Sequence, residues 1–151
     1  VKTLMEEYGK DVTLVFRNFP LTAIHPNARA AAAVAEAAGL QGKFWEMHDK
    51  LYESQNDWSS LDSSKRTTIF NSYAQGLGLD MDKFAADVAG KNIGQKINFD
   101  MALGKSVGVS ATPTFFLNGE KLDDAAATGI VQGNLDSIKA KLDALVKQNA
   151  Q

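Results

Sequence analysis

The 151 residues carry 16 Lys and Arg against 18 Asp and Glu, for a formal net charge of -2 with both signs scattered. This balance offers no basic surface for nucleic acid, and no apolar run reaches the roughly 18 residues that a membrane helix needs. At this length the chain can form one domain with a sizeable core or a small domain with an insertion, and its hydrophobic content of 44% is ordinary for a globular protein. The chain has no Cys, so composition alone leaves its redox compartment undetermined.

The N-terminal segment has the pattern of a helix followed by a strand. Its first apolar residues are spaced along one helix face: Val1, Leu4, Met5 and Tyr8. This face closes at Gly9, a residue suited to the C′ position of a helix. No initiator Met and no N-cap residue precede it, which predicts that the sequence opens inside a helix. Residues 12–16 are apolar and β-branched, which predicts a buried parallel strand.

The middle of the chain predicts helices throughout. Pro26 is expected at a first helical position, and the alanine-rich residues 28–38 are expected to form a helix that ends at Gly39. The other expected helices are Lys43–Gln55, one capped by Asp62 that runs to Gly76, one capped by Asp80 or Asp82 that ends at Gly90, and one striped by Ile93, Ile97 and Met101. The helix after Lys43 is apolar around much of its circumference, so it is expected to be well buried.

The stretch from Ala111 to Glu120 carries the most information. Small residues and Pro113 precede a short aromatic strand, and the following Asn118-Gly119 pair favours a hairpin turn. A cis bond is plausible between Thr112 and Pro113, which would place a kinked backbone edge without an N–H donor at the surface. Residues 122–130 show only a weak pattern broken by glycines, and a final amphipathic helix is expected after Asn134.

Four segments together resemble the DsbA-like family of thioredoxin-fold thiol:disulfide oxidoreductases: residues 16–21, 25–28, 42–49 and 108–116. The resemblance covers nearly the whole chain. It implies an α/β, thioredoxin-like (DsbA-like) fold built from residues 1–25 and 106–151, with a helical subdomain inserted at 26–105. Members of the family begin with a strand and a Cys-x-x-Cys at the start of the first helix, and both features are absent from this sequence.

The resemblance also implies a function for the edge before the strand. Ala111, Thr112 and Pro113 would bind substrate, with the Thr112 backbone pairing to an extended chain beside the cysteine pair. Expected partners are protein or peptide thiol substrates and a redox partner protein, in an extracytoplasmic compartment, without cofactor or metal. None of the 151 residues would be catalytic. The missing first strand would lie between residues 12–16 and 114–117, which would then have unpaired backbone groups at a cost of about 1–3 kcal/mol for each buried group.

The sequence is also compatible with two other functions. A redox-inactive thioredoxin-like module could bind extended peptides through the Pro113 edge. A related glutathione-using transferase or isomerase could use Ser in place of the nucleophilic Cys. Pro113 itself could also be an ordinary trans proline at the first position of a strand.

Two histidines and two other aromatic residues are further candidates for proton transfer, metal binding or substrate binding. His25 precedes Pro26 and is expected to mark a helix entry rather than to shuttle protons. His48 and Asp49 are adjacent on a helix and are not expected to face one another, so no metal site is predicted. Phe44 and Trp45 are expected in the core rather than in a substrate groove.

Three carboxylates could tune a thiol if they were buried near it: Glu36, Glu46 and Asp49. Nothing in the sequence places them there. A solvated face is therefore expected for all three.

Overall fold

The computed structural model describes residues 1–149, within which nine α-helices and one two-stranded sheet form. In chain order these are α1 (Lys2–Tyr8), α2 (Ala28–Gly39), α3 (Phe44–Glu53), α4 (Gln55–Trp58), α5 (Ser63–Gly76), α6 (Met81–Ala89), α7 (Lys91–Ser106), β1 (Phe116–Leu117), β2 (Glu120–Lys121), α8 (Asp124–Gln132) and α9 (Asp136–Asn149). The chain divides into two compact units. Arg17–Val107 forms a helical unit, and Val1–Phe16 with the described residues from Gly108 onward forms a hairpin-containing unit.

The helical unit is built around α2, which contacts α3, α5, α6 and α7. Its core side chains are almost completely buried: Val34, Met47, Phe70, Phe84 and Ile97. The caps predicted for α5 and α6 are confirmed, because the side chains of Asp62 and Asp80 each accept a hydrogen bond from a backbone N–H three residues later, at 3.0 Å.

Asn27, just before α2, is 5% exposed and ties the start of that helix to the segment after α4. Its Nδ2 donates to the carbonyl oxygens of Trp58, Ser59 and Leu61 at 3.0, 3.1 and 2.9 Å, and its Oδ1 accepts from Arg66 at 2.7 Å. This use of Asn27 fixes where the helix begins. The expectation that Pro26 takes the first helical position is wrong, because α2 begins at Ala28. The alanine-rich helix expected over residues 28–38, with its end at Gly39, is confirmed.

The hairpin-containing unit has a smaller core formed by Leu4 and Tyr8 of α1 and by Ile138 and Leu142 of α9. Leu117 of β1 packs against this cluster. The Tyr8 hydroxyl donates a 2.7 Å hydrogen bond to Asp143, and that acceptor raises the pKa of Tyr8 to about 12. The predicted α1 is thus present, with its buried face against α9.

Helix α8 forms where the sequence predicted only weak structure. The Asp123 side chain accepts from the N–H of Ala126 at 2.9 Å and caps the helix, and Gly133 ends it with a φ of 82°. Gly129 does not break α8 but lies inside it. A Cβ at this position would come within 2.4 Å of the Asn134 carbonyl oxygen, so the close return of the chain requires glycine here.

The buried strand predicted at residues 12–16 is wrong. Leu14 and Val15 are 36% and 62% exposed, and the segment forms no strand. A strand needs a neighbour for its hydrogen bonds. Within residues 1–149, β1 pairs only with β2, and the backbone groups of Thr13, Leu14 and Val15 make no hydrogen bond. Instead of the α/β architecture expected from the sequence, the described residues form a mostly helical structure with a small sheet.

The end of α1 also differs from expectation. Gly9 has a φ of -62° and ψ of -8°, in the right-handed helical region, so it does not act as a left-handed cap. Its N–H bonds to the Met5 carbonyl at 3.0 Å, which extends the last turn.

Candidate substrate-binding edge

The three residues singled out before the hairpin, Ala111, Thr112 and Pro113, are all exposed. The Thr112–Pro113 peptide bond is cis. The carbonyl oxygen of Ala111 accepts a hydrogen bond from the Thr114 hydroxyl at 2.6 Å, whereas the backbone groups of Thr112 make no hydrogen bond with residues 1–149. The Thr112 N–H and C=O are therefore available to an extended chain.

The hairpin that follows holds this edge in place. Phe116 pairs with Lys121 and Leu117 with Glu120 in antiparallel register. The hairpin predicted from the Asn-Gly pair is confirmed, since Asn118 and Gly119 both have positive φ angles, 50° and 87°. Leu117 anchors the hairpin on the core of its unit. The Ala111–Pro113 edge therefore leads into a fixed element.

The side chains of this edge are uncharged. Residues 107–119 contain no charged side chain, and Thr112 and Ser110 supply only hydroxyl groups. The chain has no Cys, so no residue of it can perform thiol–disulfide exchange. No cluster of three or more His, Cys, Asp or Glu in the described residues has the arrangement to hold a metal ion.

A buried charge network in the helical unit was missed by sequence reasoning. Asp100 of α7 is 1% exposed. Its carboxylate accepts from the Asn18 backbone N–H and from Arg17 Nη1, both at 3.1 Å, and from Lys96 Nζ. Glu36 joins the network through Asn18 Nδ2 at 2.6 Å. The sequence did contain a signal, because Asp100 lies on the same helix face as Ile93 and Ile97.

The network keeps Asp100 ionised despite its burial. Burial alone would raise the pKa of this carboxyl, but the hydrogen bond from Lys96, the Asn18 amide and the charge of Lys96 outweigh it, and the pKa of Asp100 is lowered. Two carboxylates and two cations meet here, so each buried charge has a partner. The network fastens Arg17 and Asn18, at the entry to the helical unit, to α7.

This network also corrects the expectation for Glu36. Its side chain is 18% exposed and bonded to Asn18, with Lys96 Nζ at 3.5 Å, so it does not belong to a solvated face. Glu46 and Asp49, by contrast, have side chains that are 45% and 46% exposed.

The remaining sequence candidates lie on α3 and before α2. Trp45 is 42% exposed, so the expectation that it belongs to the core is wrong, and Phe44 is half-buried. His48 Nδ1 lies 3.0 Å from Asp49 Oδ1, so these neighbours do meet, contrary to expectation. His25 is exposed, and its carbonyl accepts from the N–H of Ala28, the first residue of α2, at 3.0 Å.

Comparison with known proteins defines the class. A family model described as thioredoxin matches residues 1–137. The chain belongs to the thioredoxin family. No solved structure gives a significant match to it.

The curated relatives are much longer proteins. The chain is 40% identical over 121 residues to Na(+)/H(+) antiporter NhaA 3 of Salinispora tropica, 37% identical over 116 residues to NhaA 1 of Mycolicibacterium vanbaalenii, and 34% identical over 119 residues to NhaA of Herminiimonas arsenicoxydans. These alignments cover 80%, 74% and 79% of the chain but only 17%, 17% and 18% of the relatives. The chain thus spans less than a fifth of their length.

None of the helices in the described part of the chain combines the length and the apolar character that crossing a bilayer requires.

Proposed function

We propose that these residues are the substrate-holding part of a DsbA-like thiol:disulfide oxidoreductase that exchanges the thiols and disulfides of protein or peptide substrates outside the cytoplasm. One observation carries the proposal: the Thr112 backbone is exposed and makes no internal hydrogen bond, at the start of a hairpin anchored on the core. An extended peptide can pair with such an edge through its main chain, independent of its sequence. The match to the thioredoxin family supports the chemical context.

The reaction itself needs thiols that these 151 residues do not contain. In the proposed enzyme a cysteine thiolate from elsewhere in the protein attacks a substrate disulfide, forms a mixed disulfide and releases the other substrate sulfur as thiolate. A second cysteine then resolves the mixed disulfide. The role of the present residues is to hold the substrate main chain at Thr112. Pro113 has no N–H and a fixed φ, so it adds no competing donor.

The second candidate is a redox-inactive module that binds extended peptides at the same edge. The absence of Cys from all 151 residues favours it. The two candidates share the binding edge and differ in whether thiol chemistry follows binding.

The test uses the full-length protein and a disulfide-containing model peptide. The oxidoreductase is expected to catalyse exchange of that disulfide and to lose activity after alkylation of its thiols. Full activity loss with retained peptide binding would show that the edge and the chemistry are separable. No exchange, together with peptide binding that iodoacetamide leaves unchanged, would overturn the oxidoreductase and leave the binding module.

Pro113→Ala tests the edge itself. This change frees φ and adds an N–H donor, so kcat/KM for the model peptide is expected to fall about tenfold through weaker peptide positioning. Pro26→Ala is the matched control, because Pro26 is an exposed proline in the helical unit. Equal effects of the two changes would contradict a role for the Pro113 edge.

A further inference from the structure

A row of three aromatic rings runs along α3, with the exposed Trp45 and Tyr52 at its ends and the partly buried His48 between them. The rings of Trp45 and His48 have centroids 5.2 Å apart, and those of His48 and Tyr52 lie 4.7 Å apart. Trp45 and Tyr52 are 42% and 62% exposed. Trp45 and Tyr52 lie seven positions apart on the helix, so the row is about 10 Å long.

A row of carboxylates runs beside the rings on the same helix: Glu46, Asp49 and Glu53. Their spacing of three and four residues places them on one face, next to the aromatic row. Glu46 pairs with Lys43 at 2.8 Å and Asp49 with His48, whereas Glu53 forms no ion pair among the described residues. The nearby Lys50 extends its Nζ over the Tyr73 ring of α5, 4.9 Å from the centroid.

The two rows together form a surface that we name the α3 ridge: Trp45, Glu46, His48, Asp49, Tyr52 and Glu53. Large rings give much contact area at little entropic cost, and Trp and Tyr are enriched where binding energy concentrates. The faces of Trp and Tyr rings also attract Lys and Arg cations. The adjoining carboxylates add to that attraction and oppose phosphate groups, which disfavours nucleic acid and anionic lipid on this ridge.

We propose that the α3 ridge docks a basic amphipathic helix of a protein partner. The partner's Lys or Arg side chains, spaced three and four residues apart, would face the carboxylate row, and its apolar side chains would lie on the rings. The basic side chains of the partner helix would then have the same three- and four-residue spacing as the carboxylates of α3 that they face. The docking is independent of the disulfide chemistry and of the Ala111–Pro113 edge.

The test uses the full chain and two dye-labelled helical peptides, one of Leu and Lys and one of Leu and Glu, in fluorescence polarisation. We expect saturable binding of the Leu/Lys peptide alone, weakened by added salt. Trp45→Ala combined with Tyr52→Ala is expected to reduce its affinity at least tenfold. Equal binding of both peptides, or no saturable binding, would overturn the proposal.

A matched control distinguishes binding at the α3 ridge from attraction of the basic peptide by the net charge of the protein. Replacing the three ridge carboxylates by their amides is expected to weaken binding and to flatten its salt dependence. The same change at three exposed acids elsewhere, Glu6→Gln, Asp82→Asn and Asp124→Asn, should leave the affinity within twofold. Equal losses in the two sets would show attraction by net charge and overturn docking at the ridge.

Peptide contacts are then mapped on the unaltered protein, so that no variant has to fold. Amide chemical shifts of α3 are expected to change on addition of the Leu/Lys peptide. Shifts confined to other helices would contradict the proposed site.

Discussion

Asp100→Asn should destabilise the helical unit strongly while changing the side chain's shape very little. The native carboxylate is 1% exposed and accepts hydrogen bonds from the Asn18 N–H, Arg17 and Lys96. Removing one member of a buried ion pair typically costs about 3–5 kcal/mol. The side chains of Arg17 and Lys96 are 49% and 37% exposed and can regain water, so we expect the lower end, about 3 kcal/mol.

Urea unfolding followed by tryptophan fluorescence measures this loss. Trp45 and Trp58, the two tryptophans of the chain, both lie in the helical unit, so the signal reports on that unit. With an m value of about 1–1.5 kcal/mol/M, a loss of about 3 kcal/mol lowers the midpoint by about 2–3 M. Glu6→Gln, at an exposed position of α1, is the control for removing one negative charge. A midpoint for Asp100→Asn as high as that of the control would refute the stabilising role of the network.

The same carboxylate gives the helical unit a defined acid sensitivity. The pKa of Asp100 is lower in the folded protein than in the unfolded chain, where it is about 3.9. Its contribution to the free energy of unfolding is therefore complete above about pH 4 and is lost as the pH falls through the folded value. Asp100→Asn should flatten this acid limb in urea titrations, and an unchanged limb would contradict the assignment.

Two further changes test contacts in the two units. Asn27→Ala should cost about 2–3 kcal/mol, because the carbonyl oxygens of Trp58, Ser59 and Leu61 lose their donor. Urea midpoints followed by tryptophan fluorescence check this. A loss no larger than that of the surface control would contradict it. Asp143→Asn should lower the pKa of Tyr8 from about 12 toward its ordinary value of about 10, measured by NMR titration of the ring. A Tyr8 pKa that stays near 12 would show that Asp143 is not the cause.

Features set by nearby residues were predictable from the sequence. The caps at Asp62 and Asp80 depend on an N–H only three residues away, and the Asn118-Gly119 turn depends on its own backbone angles. The apolar spacing of α7 likewise predicts its buried face, which includes Ile93 and Ile97.

Features that depend on residues far apart in the sequence could not be predicted from it. Residues 12–16 have the composition of a strand, but a strand requires a neighbouring strand, and the sheet of the described chain contains only β1 and β2. Trp45 is a large aromatic residue of the kind usually found in a core, yet it is exposed, because Met47 and Leu51 occupy the buried face of α3. The hairpin that anchors the candidate edge forms from residues close together in the sequence, so it was predictable. The Asp100 network of the helical unit was not, because it depends on Asn18 and Arg17, far away in the sequence.

The bond between Asn18 and Asp100 joins residues 82 positions apart and closes the helical unit from its entry to its last helix. At a synthesis rate of about 5–20 residues per second, Asp100 is synthesised about 4–16 s after Asn18. Until then Arg17 and Asn18 lack their buried carboxylate, and the alanine-rich α2 has no α7 to cover it. Completion of the helical unit therefore has to await the synthesis of α7, the helix that contains Asp100.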